Sequence, residues 1–116
     1  GLVAKVEDER LMDAVTAVSG SGPAYVFHFI ECLTQAGKDA GLPDEVAAML
    51  AMQTVMGAGA LAAASGETAG KLRENVTSQN GTTQAGLNVL MGGGALQALV
   101  SAAVEAARKR SVELGS

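Results

Sequence analysis

An all-α fold is what this sequence predicts, and three features predict it. Nearly half of the 116 residues are hydrophobic, yet aromatic side chains make up only 3%. Alanine and the 15 glycines carry much of the apolar content. That composition suits helices whose backbones pack closely, whereas a sheet draws on aromatic and β-branched runs. Apolar residues also recur at three-four spacing between short breaks of Gly, Pro, Ser and Asn. The length fits one domain, 1–116, with a core of its own.

Gly1 to Val6 reads as a short strand or the tail of a connection, and Glu7-Asp8-Glu9-Arg10 as solvated linker. A chain that opens in this way suggests a partner domain ahead of it. Leu11 to Val18 forms a short helix with Asp13 in its first turn, where a negative charge is favourable. Ser19-Gly20-Ser21-Gly22-Pro23 is a predicted loop, and Pro23 is the first residue of the next helix. That helix runs to about Ala40 and closes on Gly41 as a left-handed cap. Val26, Phe29, Ile30, Leu33, Ala36, Gly37 and Ala40 make its buried face. Tyr25, His28, Cys32 and Gln35 make the opposite side only partly polar, so the helix is expected to be central and covered on more than one side.

Leu42-Pro43-Asp44-Glu45 starts a third helix, which reaches about Ala64 before Ser65-Gly66 ends it. Val46 to Ala64 carries no charge. A membrane span would prefer Leu, Ile and Phe to the Ala, Gly, Gln53 and Thr54 found here, so no membrane is expected. A helix that is apolar all round needs cover on every side, and a second copy of the chain supplies it most simply. Glu67 to Val76 makes a short polar helix with Leu72 and Val76 inward. Another runs from Thr82 to Met91, Gly92-Gly93-Gly94 breaks it, and Ala95 to about Glu113 makes the last. Leu96, Leu99, Val100, Ala103, Val104 and Ala107 form its stripe, with Arg108-Lys109-Arg110 near its negative end.

The net charge of −4, with no other basic cluster, argues against a nucleic-acid partner. The single Cys32 excludes an internal disulfide and a cysteine zinc cage, and suits a reducing compartment. No basic-then-apolar secretion pattern opens the sequence. His28 reads as a packed or surface side chain, Cys32 as a small buried hydrophobe, and Met49, Met52 and Met56 as core or interface filler. The carboxylates show no paired spacing for a metal or an acid/base dyad, and no dinucleotide fingerprint follows a strand. The informative stretch is Val76-Thr77-Ser78-Gln79-Asn80-Gly81-Thr82-Thr83. Asn80-Gly81 is a turn signal, and Thr82 or Thr83 can cap the helix that follows. The free amides and dipole of that helix start make a small anion site, sized for a carboxylate or phosphate. The same residues also serve as a plain tight loop between helices.

Asp13-Ala14-Val15-Thr16-Ala17-Val18-Ser19-Gly20-Ser21-Gly22-Pro23-Ala24-Tyr25, Gly41-Leu42-Pro43, and Val76 to Thr83 together resemble the C-terminal half of pyrroline-5-carboxylate reductase. The resemblance covers essentially the whole chain, with three motifs in order and spacing. It implies an interlocking helical dimerisation fold of about five to six helices, like the C-terminal domain of 6-phosphogluconate dehydrogenase. It also implies NADPH- or NADH-dependent reduction of 1-pyrroline-5-carboxylate to L-proline, in a cytoplasmic homodimer or higher homo-oligomer. The nucleotide would sit mainly on an N-terminal Rossmann domain that this chain lacks, leaving the chain inactive by itself. The substrate carboxylate would meet Ser78, Gly81, Thr82 and Thr83, with the Thr83 hydroxyl on the ring nitrogen as the catalytic contact. Ser19, Gly20, Ser21, Gly22 and Pro23 would lie near the nicotinamide, and no metal is implied. Gln79 and Asn80 stand where the family's usual motif has Pro and the first Gly. Asn accepts a left-handed backbone, so the turn survives, and the loss of Pro loosens the loop, with its effect on substrate affinity. Two other readings stay open: the same fold in a dehydrogenase for another small carboxylate, and a stand-alone helical dimerisation module. A hydroxy-acid dehydrogenase of the first kind would carry a helix-borne Lys with Asn near by, and no such pair lies on the central helix.

Overall fold

The structure, a computed structural model, describes residue 8 and residues 11–115. The expected strand or connection at Gly1–Val6 and most of the expected linker lie outside the described residues. What is described is helical, with no strand among the described residues. Helix α1 (Met12–Val15) runs directly into one turn of π-helix (Thr16–Gly20). Then come α2 (Gly22–Asp39), α3 (Asp44–Ser65), α4 (Ala69–Asn75), α5 (Thr82–Met91), a 3₁₀ turn (Gly92–Gly94) and α6 (Ala95–Gly115). Against the expected five to six helices, α2, α3, α5 and α6 are ten residues or longer, and α1 and α4 are short.

The stops between helices follow from local chemistry. The Gly41 amide donates to the Lys38 carbonyl at 2.9 Å and the Leu42 amide to the Gly37 carbonyl at 3.1 Å. This double closure needs a left-handed residue between them, and Gly41 supplies it with φ +105°. Pro43 then fixes the entry to α3, its carbonyl accepting from the Ala47 amide at 2.9 Å. Gly66, at φ 73°, ends α3, and the Thr68 hydroxyl caps α4 by accepting from the Lys71 amide at 3.1 Å. Between α5 and α6, Gly93 and Gly94 adopt φ 63° and 68°. The chain there is bent by conformation and not by packing, since nothing lies within 4 Å of where a Cβ would stand.

The chain forms two units. The first joins the described residues up to Tyr25 with those from Leu90 onward. In it α6 packs on α1 and the π turn, burying Ala17 completely, and the Ser111 hydroxyl donates to Asp13 at 2.7 Å. Along α6, Arg108 holds Glu105 through two hydrogen bonds of 2.8 and 2.7 Å. That contact keeps the Glu105 carboxyl below its ordinary pKa and raises Arg108 above its own. The second unit is Val26–Val89. Here α2 and α3 meet where Gly37 faces Ala47, close enough that a Cβ on Gly37 would stand 3.3 Å from the Ala47 methyl.

The expectation of a core within this chain is corrected. Among the described residues only Ala17, Ala47 and Ala51 are buried hydrophobics, at 0, 2 and 3% exposure. The face of α2 expected to be buried holds no buried residue, and Val26 and Phe29 are exposed. Val76, expected inward on α4, is 64% exposed, and Met49, Met52 and Met56 stand in the open along α3. Leu96, Leu99 and Val100 of the α6 stripe are exposed as well. Small side chains let backbones approach but cover little area, so each helix leaves its larger side chains bare. Helix α3 is long and apolar enough to cross a membrane by length and composition alone. The stretch Thr82–Gly115 passes the same test only as one helix, and the left-handed glycines interrupt it.

Replacing Gly41 with Ala tests the α2 stop, because the added methyl meets no neighbour and only the backbone conformation is strained. Urea unfolding is expected to show a loss of about 1–2 kcal/mol; unchanged stability would mean that the turn does not need its left-handed residue.

Candidate functional site

The candidate site lies on the link from α4 to α5, within the second unit. Beyond Asn75 the chain keeps bonding back to the helix it leaves. The Thr77 amide donates to the Glu74 carbonyl at 3.1 Å, and the Thr77 hydroxyl donates to the Arg73 carbonyl. It then reverses over Ser78-Gln79-Asn80-Gly81, closed by the Gly81 amide donating to the Ser78 carbonyl at 3.1 Å. Asn80 takes the third place at φ 62°, the one non-glycine with positive φ among the described residues. Turns with a left-handed third residue are made by Gly or Asn, which is why the sequence signal was readable. Gly81 suits the turn for a different reason. A Cβ there would lie 3.3 Å from both the Cβ and the carbonyl oxygen of Ser78, so a side chain would press on the turn and Ser78 would have to give by a few tenths of an ångström.

Two expectations are refined by this geometry. The Ala85 amide donates to the Gly81 carbonyl at 3.1 Å, which makes Gly81 the N-cap and Thr82 and Thr83 the first helical residues. A capping side chain belongs to a residue of non-helical backbone, so neither threonine caps α5. The Gly81 amide is also committed to the turn. The free donors of the first turn are therefore the amides of Thr82, Thr83 and Gln84. Gln84 was not singled out from sequence; its part depends on which residue is the cap, and that is fixed by one hydrogen bond.

Ser78, Thr82 and Thr83, which carry the hydroxyls of this stretch, are exposed. From Val76 to Met91 no side chain is charged. The positive end of α5 is thus not neutralised by its own residues, and the arrangement can hold a small anion by amides, dipole and hydroxyls.

Ser19–Pro23, the other expected segment, lies in the first unit and is not a loop. Ser19 and Gly20 complete the π turn, whose closing bond runs from the Ser21 amide to the Thr16 carbonyl at 2.9 Å. The Ser21 carbonyl accepts from the Ala24 amide at 3.1 Å, and Gly22 and Pro23 open α2. A bond reaching back five residues absorbs the extra residue without breaking the helical path, and Pro23 has no amide to leave unpaired there. The segment is open at Gly22, where a Cβ would meet nothing within 4 Å, whereas one on Gly20 would touch Thr16 Cγ2 at 3.6 Å. A flat group can therefore approach this backbone closely.

His28 and Cys32 lie one turn apart on α2. Their side chains are 3.5 Å apart, and His28 Nδ1 is 3.1 Å from Glu31. Cys32 is exposed, which corrects its expected burial. Among the described residues no three His, Cys, Asp or Glu side chains gather as metal ligands.

Comparison with known proteins adds what this geometry cannot. Residues 9–114 match the family model described as pyrroline-5-carboxylate reductase dimerisation. The chain is 50% identical over 107 residues to the pyrroline-5-carboxylate reductase of Pisum sativum, covering 92% of this chain and 39% of that protein. It superposes on a pyrroline-5-carboxylate reductase from Coxiella burnetii with a TM-score of 0.92 at 41% identity, over 98% of this chain and 42% of the other. It superposes likewise on the Plasmodium falciparum pyrroline carboxylate reductase with NADP bound, with a TM-score of 0.88 at 38% identity, over 100% of this chain and 44% of that one. The chain thus spans about two-fifths of the length of the curated relatives it matches.

The turn itself is open to test. Asn80→Val forces a β-branched residue to positive φ and is expected to cost about 1–2 kcal/mol in urea unfolding, while Asn80→Gly keeps stability near the parent value. Equal losses in the two variants would show that the left-handed third residue is not what holds the turn.

Proposed function

The chain belongs to the pyrroline-5-carboxylate reductase dimerisation family, and from that membership we propose that it is the substrate-binding and dimer-forming part of an enzyme that reduces 1-pyrroline-5-carboxylate to L-proline. The single observation that carries the site reading is the start of α5, with three free amides and three exposed hydroxyl residues around an unneutralised helix end. In this reading the substrate carboxylate lies on the Thr82, Thr83 and Gln84 amides, with the Ser78 hydroxyl at its edge. Gly81 contributes by leaving the turn unpressed by a side chain. The Thr83 hydroxyl hydrogen-bonds the ring nitrogen and orients the protonated imine. When bound, NADPH or NADH supplies the hydride that the imine carbon accepts. The protein's contribution is then position: one ring held in one attitude, which supplies much of the rate by orientation alone. Solvent and the iminium itself provide the proton, so no buried acid is required.

The shelf of Ser19, Gly20, Ser21, Gly22 and Pro23 is the proposed neighbour of the nicotinamide end, and its bare Cα at Gly22 suits a flat ring. The rest of the dinucleotide belongs to the part of the relatives' length that this chain does not span. The dimerisation family supports assembly of copies of this chain, and the apolar surfaces of α2, α3 and α6 are the proposed contact. The setting proposed for the reaction is the cytoplasm.

Thr83→Ala tests the assignment, in the enzyme that carries this segment together with its nucleotide-binding half. Loss of a hydrogen bond to a charged group is expected to lower kcat/KM about 10- to 100-fold, with the oligomer unchanged. Parent kinetics in that variant would remove Thr83 from the site. Sedimentation of the unsubstituted protein is expected to give a dimer or a larger species, and a compact monomer would overturn the contact assigned to α2, α3 and α6.

A further inference from the structure

The turn that forms the site contains a reactive peptide bond. We propose that Asn80-Gly81 is a deamidation site, and that its conversion places a carboxylate at the mouth of the anion site and closes it to substrate. The inference rests on the carboxylate-site reading for its consequence, though not for its chemistry. Three observations support it. Asn80 is exposed, so water and base reach its carboxamide. Its neighbour has no side chain to shield the main-chain nitrogen, and the fit there is close, since a Cβ on Gly81 would stand 3.3 Å from Ser78. The third is the tether: the Gly81 amide is held by one hydrogen bond of 3.1 Å to the Ser78 carbonyl. With Gln79 and not Pro at the second place, nothing in the ring structure of the chain presets the turn. Each opening of that bond frees the nitrogen.

The step balances without an oxidant or a cofactor. A solvent base takes the Gly81 amide proton, and the nitrogen attacks Asn80 Cγ. An N–C bond forms, the carboxamide C–N bond breaks, and ammonia leaves with its added proton. Water then opens the cyclic imide at either carbonyl, giving aspartate or isoaspartate. While the imide persists, Gly81 has no hydrogen to donate to Ser78, so the turn loses its closing bond as well. After opening, a negative charge stands next to the amides of Thr82 and Thr83, where the substrate carboxylate is proposed to lie.

The test combines ageing with variants. Purified protein is incubated at mildly alkaline pH, and peptides that together span residues 74–89 are followed by mass spectrometry for the Asn-to-Asp mass gain and for isoaspartate. Binding of L-proline is measured by calorimetry on fresh protein, aged protein, Asn80→Asp and Asn80→Gly. Expected are conversion at Asn80 ahead of Asn75 and Asn88, and affinity in aged protein that falls in step with conversion. Asn80→Asp is expected to bind about tenfold more weakly, from a like charge within a few ångströms. Asn80→Gly is expected to bind as fresh protein does and to resist ageing. Conversion no faster than at Asn75 or Asn88 overturns the proposal even if Asn80→Asp binds poorly. Unchanged binding in Asn80→Asp instead overturns the carboxylate-site reading, and with it the proposed consequence.

Discussion

The structure depends on a shortage of area. Its helices are built from alanine and glycine, which allow close backbone approach but remove little apolar surface from water when they pack. Three alanines are what the described chain hides completely or nearly so. Many of the larger side chains on α2, α3 and α6, among them Phe29, Met49 and Leu99, stand exposed. Membership of a dimerisation family gives this bareness its meaning. In the proposed assembly the exposed stripes are unfinished contacts, which other copies complete.

Against that background the rigid features are local ones. The double closure at Gly41, the capped start of α4 and the left-handed bend at Gly93-Gly94 hold wherever the helices lie, because each is satisfied within a few residues. The Ser78–Gly81 turn is also satisfied locally, by one hydrogen bond from the Gly81 amide to the Ser78 carbonyl, so its formation does not depend on what covers the apolar faces. The free amides of α5 carry this further: their direction is set by the helix, and only their position depends on the turn.

These local features were also the legible ones. Thr82 and Met91 bound α5 as expected, Gly41 and Gly66 stop their helices, and Asn80 takes the left-handed place that its side chain tolerates. What sequence misjudged were matters of one hydrogen bond or of missing neighbours. The Ser-Gly-Ser-Gly-Pro composition reads as a loop, yet a single bond from Ser21 to Thr16 keeps it helical. The cap of α5 falls on Gly81 and not on a threonine, since the Gly81 carbonyl is the one that accepts from Ala85. The outward faces of α2 and α6 carry a proper apolar period, but periodicity says which side is greasy and not whose atoms cover it.

With so little hidden inside one chain, folding free energy and association free energy are hard to separate. In the proposed assembly most of the loss of water from apolar surface occurs when copies meet, so the native population is governed by mass action. Dilution then acts as a denaturant. A lesion that weakens the contact between copies reads out as a loss of helix, even when it lies far from any residue that stabilises a helix by itself.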